Sequence, residues 1–377
     1  MDSARMQPQA MTRITCVAHQ VLERAVMDRL EAMGVHDVMA ENARCVRERV
    51  RARALGLSGR RTDLHDSPVD IYQTTVPREA APRVAEALID AAELRTPGRG
   101  MLYSQDVKAY GFDEGVDKKV WCDAPSGMVQ DMTLFTCILS MAGSGESLAR
   151  IVLTFGVGVP VVSRGVGTGL RDRLGLLRIT IPPEKEIVRF MTAAHDADGI
   201  RRLLVEEGRL DRPGGGFLYQ TPIREGISDA LMRIGAQRHA ASMAQMIAAL
   251  DELKGGTRWR TRYAGLKDQH EEVDQKTQRN YREIAFACSE GNAEVLVREA
   301  MEAGAGSATT STADCLRAAS SETGSALRET GILCVPEQAS DAVVEALTGA
   351  ATRANDEACR IQVLEAPAVF TYQRSSS

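Results

Sequence analysis

The sequence predicts an α+β fold in which one β-α-β-β-α-β unit occurs three times. Three observations predict it. Apolar patterning alternates between strand and helix periods in that order along the chain. Val76–Ala92 and Val335–Ala351 align without a gap and agree at nine of 17 positions. Pro97-Gly98-Arg99-Gly100-Met101-Leu102-Tyr103 aligns with Pro213-Gly214-Gly215-Gly216-Phe217-Leu218-Tyr219. The first identity links unit one to unit three and the second links unit one to unit two, so all three belong to one series.

In unit one (residues 11–125), Arg13 to Ala18 reads as a strand. A helix follows, with Leu22, Val26, Leu30 and Met33 at helical spacing, and it stops at Gly34. Val38 to Arg44 is the second extended piece, and the Arg-rich stretch Arg47–Arg61, with Gly56, Ser58 and Gly59, reads as a solvated loop. Val69 to Val76 alternates and is rich in β-formers; Pro77 ends it, and Val84, Leu88 and Ala91 mark the next helix. Met101 to Ala109 closes the unit.

Unit two (131–225) begins with a strand at Met132–Ser140, a helical stripe of Leu148, Ile151, Val152 and Phe155, and a strand at Val159–Ser163. Ile187–Met191, a helix marked by Ile200, Leu203 and Leu204, and Gly216–Thr221 complete it. An insert (226–280) follows. Its apolar residues from Ile227 to Leu253 predict an amphipathic helix or a bent pair, and Trp259 to Gln278 reads as a charged connector. Unit three (281–373) has a strand at Tyr281–Ala287, a helix through Val295–Met301, a strand at Gly331–Val335, a helix with Val343, Val344 and Leu347, and a last strand at Arg360–Leu364.

Composition bounds the function. The 377 residues are 44% apolar and 26% charged, an ordinary globular balance. With 46 Lys+Arg against 51 Asp+Glu the net charge is −5, so the whole chain is no strong polyanion binder, although a local basic patch stays open. Aromatic residues are 4%, which supplies few stacking platforms for single-stranded nucleic acid. No apolar run reaches the roughly 18–20 residues of a membrane span, and Met1–Ala10 lacks the apolar block of a secretory signal, so a cytoplasmic protein is expected. Eight scattered Cys without a CxxC read as small core residues.

The segment richest in chemistry runs from Ser163 to Leu176. Gly165, Gly167 and Gly169 allow a sharp turn that presents N–H groups to an anion; Thr168 adds a hydroxyl, and Arg164, Arg171 and Arg173 add charge. It lacks the Gly-Lys-Ser/Thr ending of a P-loop and follows a second rather than a first strand. The run alone does not separate a loop that turns from one that binds. Arg212-Pro213-Gly214-Gly215-Gly216 reads either as a tight turn or as a second wall of the same pocket, with Arg212 or Arg99 near phosphate. Lys185, between Glu184 and Glu186, lies within reach of an anion held there. His195, Asp196 and Asp198 stand at a helix entry, where Asp is an expected cap, and no metal site is assigned.

These residues resemble the P-II-like signalling superfamily, whose members share a ferredoxin-like β-α-β-β-α-β unit. Arg164-Gly165-Val166-Gly167-Thr168, Leu174-Gly175-Leu176 and Glu184-Lys185-Glu186-Ile187-Val188 are similar to its run through the large loop between strands two and three. Arg212 to Tyr219 is similar to its loop ahead of the last strand. The resemblance implies three tandem ferredoxin-like units forming an intramolecular pseudo-trimer, with an adenine nucleotide bound in a cleft between units. It also implies a target protein met through the Arg47–Arg61 loop; the 227–253 helix is a second candidate contact. Unit three departs, having Arg353-Ala354-Asn355-Asp356-Glu357 where the Pro-Gly turn is expected. The leading expectation is therefore a cytoplasmic regulatory or sensory protein binding one small anionic effector through Arg99, Arg164, Gly165, Gly167, Thr168, Gly169, Lys185, Arg212, Gly214, Gly215 and Gly216. The alternatives are an enzyme with one inter-unit active site, drawing on Thr168, Lys185, His195 and Asp196, and a scaffold that binds only partners.

Overall fold

The computed structural model describes residues 6–51, 61–96, 99–112, 128–141, 143–154, 156–169, 184–228, 273–316 and 326–372. Its elements in chain order begin β1 (Gln9–His19), α1 (Glu23–Ala32), β2 (Val38–Arg51), β3 (Arg61–Pro77), α2 (Ala81–Ala91) and β4 (Gly100–Tyr110). They continue with β5 (Met132–Leu139), α3 (Ser144–Thr154), β6 (Val161–Gly169), β7 (Glu184–Ala193), α4 (Ala197–Glu207), β8 (Phe217–Ile223) and β9 (Glu225–Ile227). The last six are β10 (Gln278–Ser289), α5 (Ala293–Glu302), β11 (Ser307–Leu316), β12 (Ala326–Pro336), α6 (Glu337–Arg353) and β13 (Arg360–Thr371).

The strands form one antiparallel sheet of 13 in the order β11-β12-β10-β13-β8-β5-β7-β6-β2-β3-β1-β4-β9. β11 closes it into a barrel by pairing β12 on one side and both β6 and β2 on the other. β13 likewise pairs β10, β8 and β4. This overturns the expectation of three separate ferredoxin-like units assembled as a pseudo-trimer. There is one continuous closed sheet, and its hydrogen bonds run uninterrupted across the predicted unit boundaries.

Each central strand is buried on both sides, and its alternation sorts side chains between two environments. On β1, Ile14, Cys16 and Ala18 face α1 and α2 in one apolar cluster, while Arg13 and Thr15 line the barrel interior. β5 repeats this with Phe135, Cys137 and Leu139 under α3 and α4, and Leu134 and Thr136 inside. β10 does so with Ile284 and Cys288 under α5 and α6, and Glu283 and Ala285 inside. Phe135 and Phe190 pair across β5 and β7 with ring centroids 5.1 Å apart and planes 2° from parallel. Burying each such side chain is worth about 1.5–3 kcal/mol, which is the main hold of helix on sheet.

Several local expectations change. Both ends of the Arg47–Arg61 segment are strand, β2 and β3 pairing as far as Arg51 opposite Arg61; residues 52–60 lie outside the described residues. Of the predicted 227–253 helix, 229–253 lies outside the described residues, and Ile227 ends β9, paired with Leu102. β11 is a strand that the apolar pattern did not indicate.

Candidate functional site

The Gly-rich run Arg164–Gly169 is strand β6, not a loop. Val166 lies opposite Glu184 of β7 and Thr310 of β11, and Gly167, Thr168 and Gly169 lie opposite Thr309, Ala308 and Ser307. Its backbone groups are therefore directed at sheet ladders rather than at an anion cradle. The glycines admit close packing: a Cβ on Gly165 would sit 2.9 Å from the Thr310 carbonyl oxygen of β11. Residues 170–183, with Arg171, Arg173 and Leu174 to Leu176, lie outside the described residues.

The Pro-Gly segment has its own packing reason. Gly216 enters β8 at φ +134°, where a Cβ would stand 2.7 Å from the Ile138 carbonyl oxygen. Gly100 enters β4 in the same way, against the Val17 carbonyl oxygen. Arg99 pairs with Glu93 at 2.7 Å. Arg164 and Arg212 are exposed and have no carboxylate partner among the described residues. The Arg164 and Arg212 segments do not meet: β5 and β7 stand between β6 and β8. Glu186 is used structurally, since its carboxylate accepts the Gly145 N–H at the start of α3 at 2.8 Å and pairs with Arg44 at 3.2 Å.

The proposed catalytic group is not assembled. Lys185 stands at the start of β7 and His195 beyond its end, so at about 3.3 Å per residue they are roughly 30 Å apart. His195 lies 3.4 Å from Asp196 and is exposed. Asp196 makes no side-chain cap to α4, contrary to expectation. Among the described residues no group of three or more His, Cys, Asp or Glu is placed to hold a metal.

Two concavities remain. A groove of about 870 Å³ opens at the ends of β4 and β8 opposite to the Gly-rich turns, against Val363–Glu365 of β13, lined by residues including Arg78, Asp106, Lys108, Arg224, Arg282 and Asp341. Its walls differ in charge. On one, Arg78 and Arg224 share the single carboxylate of Asp106, at 3.7 and 3.3 Å, with Lys108 beside them. On the other, Arg282 is shared by Glu337 and Glu365. Ligand pockets typically measure about 300–1,000 Å³.

The second is the barrel interior, a cavity of about 100 Å³. Arg13 pairs there with Glu283 at 3.0 Å and donates to Gln105 at 2.7 Å and Gln362 at 3.4 Å. Gln105 donates to Thr221 and Gln362 to Thr75, both at 2.9 Å, and Arg189 pairs with Glu41 at 3.3 Å. Burial pushes the Tyr103 and Tyr219 phenols up, so both stay protonated donors. Sequence reasoning assigned none of these residues a role. The available signal was a charge at an inward position of an otherwise apolar strand, Arg13 before Ile14 and Glu283 before Ile284.

No family model matches the chain, and no curated protein does. Among solved structures it is similar to GlnK of B. subtilis in complex with ATP, at 14% identity and a TM-score of 0.23, over 26% of this chain and 86% of that one. A second structure of B. subtilis GlnK gives 14% identity and a TM-score of 0.23 over 27% of this chain and 88% of that one. Aspartate kinase from Synechocystis gives 9% identity and a TM-score of 0.18 over 93% of this chain and 55% of that one. Likenesses at these TM-scores carry no argument, and the functional reading rests on the chain's own residues. Among the described residues no helix is long and apolar enough to cross a membrane.

Proposed function

We propose that this is a cytoplasmic regulatory protein that binds a small anionic effector, an adenine nucleotide, in the groove where β4, β8 and β13 meet. One observation carries the reading: two guanidiniums and an ammonium are gathered on one wall around the single carboxylate of Asp106, while Glu337, Asp341 and Glu365 stand across a groove of ligand size, so its cations are segregated to one side. A phosphate would join Asp106 as counter-ion of Arg78 and Arg224, and charge-assisted bonds of that kind are the strong ones. The first turn of α6 and the body of β13 form the opposite wall, so occupancy would be felt by the strand that helps close the barrel. The Arg47–Arg61 segment is the proposed contact for a target protein.

Calorimetric titration of the whole protein with ATP, ADP and AMP tests this. Saturable binding weakened about tenfold or more by Arg224→Ala is expected. Arg164→Ala and Arg212→Ala should leave it unchanged, because Arg212 precedes the opposite end of β8 and Arg164 lies on β6. Loss that follows Arg164 instead would move the effector to β6, and no heat from any nucleotide would refute the reading.

A further inference from the structure

We propose that the ribbon formed where β2 and β3 run on past the barrel is a contact for double-stranded nucleic acid, made through one arginine-bearing face. β1 ends at His19 opposite Val69, and β6 begins at Val161 opposite Cys45. β2 and β3 nevertheless stay paired with each other as far as Arg51 opposite Arg61. From the Arg47–His65 rung to the Arg51–Arg61 rung they form a ribbon with no third strand among the described residues, roughly 15 Å long at about 3.3 Å per residue. Residues 47–61 hold six Arg and one Glu, a charge of +5 in a chain whose net charge is −5. This is the local basic patch that the net charge leaves open.

The register sorts that charge, because successive residues of a strand belong to opposite faces. Val46 is buried and Leu64 half-buried against the apolar cluster under α3 and α4, and Glu48, Val50, Thr62 and Asp66 occupy register positions of that same face. The other face takes Arg47, Arg49 and Arg51 from β2 with Arg61, Asp63 and His65 from β3, four Arg against one Asp. His65 is exposed there. Beyond Cys45 this face has no apolar residue. A protein interface needs an apolar core and a bilayer contact needs an apolar anchor, so a target protein would meet other residues of the segment. Duplex nucleic acid needs neither, since its attraction is to phosphates all along the backbone. A two-stranded ribbon fits a major groove of about 12 Å. Arginines two residues apart recur about every 6.7 Å, against a rise of about 3.4 Å per phosphate along each strand, which gives one guanidinium for every two phosphates. Guanidinium and phosphate pair by charge-assisted, bidentate bonds.

The test is fluorescence anisotropy of the whole protein with a labelled duplex DNA of about 20 base pairs, titrated between about 50 and 200 mM salt. The single strand and poly-L-glutamate serve as comparison probes. Saturable binding of the duplex is expected, roughly a hundredfold weaker at the higher salt, with a log–log slope of about −3 to −4 for four phosphate contacts. Arg49→Ala should make that slope shallower by about one. Arg49→Glu with Arg51→Glu should abolish binding, while Arg212→Ala, on the barrel's own surface, should change nothing. Single strand bound as tightly as duplex would deny the groove fit, and poly-L-glutamate bound as tightly would show a general site for acidic partners such as a protein. A slope unmoved by Arg49→Ala would place the contact elsewhere. Each of these three results, or no binding at all, overturns the proposal. Arg224→Ala should leave duplex binding intact and Arg49→Ala should leave the nucleotide heat intact, so the ribbon and the groove fail independently.

Discussion

The two faces of the same sheet are held by opposite chemistry. Toward the helices the strands present Ile14, Cys16, Phe135, Phe190 and Ile284, and nothing there needs a specific partner. Toward the barrel axis they present Arg13, Glu41, Gln105, Arg189, Glu283 and Gln362, each placed against a group from a distant part of the chain. Apolar burial is strong and non-directional, whereas buried ion pairs add little net stability but penalise every arrangement that separates them. The outer face thus supplies most of the stability, and the inner face selects which strands meet.

The comparison breaks first where either face loses a member. Phe190→Ala, which removes the ring stacked on Phe135, should cost about 3–5 kcal/mol in urea unfolding. Arg13→Ala should cost a similar ~3–5 kcal/mol, because Glu283 is left buried and unpaired. Replacing both, as Arg13→Met with Glu283→Leu, should recover most of that loss. A double variant as unstable as the single one would show that the interior contributes net stability after all.

A smaller effect is expected at the turn between α6 and β13. Burial pushes the Asp356 carboxyl up, but bonds from the Asn292 side chain, the Ser289 backbone and hydroxyl, and the Ala358 backbone outweigh it and hold the group below the usual carboxylate range. A folded-state value below the unfolded one of about 3.9 gives stability that is complete above about 3.9 and is lost progressively as the pH falls from there through the lower folded-state value. Asp356→Asn should therefore lose about 1–3 kcal/mol at pH 7 and much less near pH 3, read from urea midpoints at both. Smallest of all, the helix-facing thiols should be inert in the native state. Burial pushes Cys16 up to about 12 and Cys137 and Cys288 in the same direction. Mass spectrometry after alkylation should find them modified only in denaturant; native labelling would show an outer layer that opens.

The helix-facing side was legible in the sequence because its signal is periodic. Met132–Ser140 and Tyr281–Ala287 were placed within a few residues of β5 and β10. The closure was not. β11, Ser-Ala-Thr-Thr-Ser-Thr-Ala-Asp-Cys-Leu, is almost free of bulky apolar side chains, and its two-sided pairing is a property of backbone groups. Nor was the Gly-rich half of β6, Arg164–Gly169, since glycine counts against a strand until a close neighbour such as Thr310 requires it. The interior pairs join residues such as Arg13 and Glu283 whose proximity exists only once the sheet has closed.

Strand order in the closed sheet also bears on synthesis. β13 bonds to β4 and β8, and β11 to β2 and β6, so the early strands receive their last neighbours from segments that leave the ribosome late. Until then a nascent chain carries bare sheet edges of the kind that recruit other strands. The sheet closes only once β11 and β13 have been made, and a chain halted ahead of β11 keeps those edges bare.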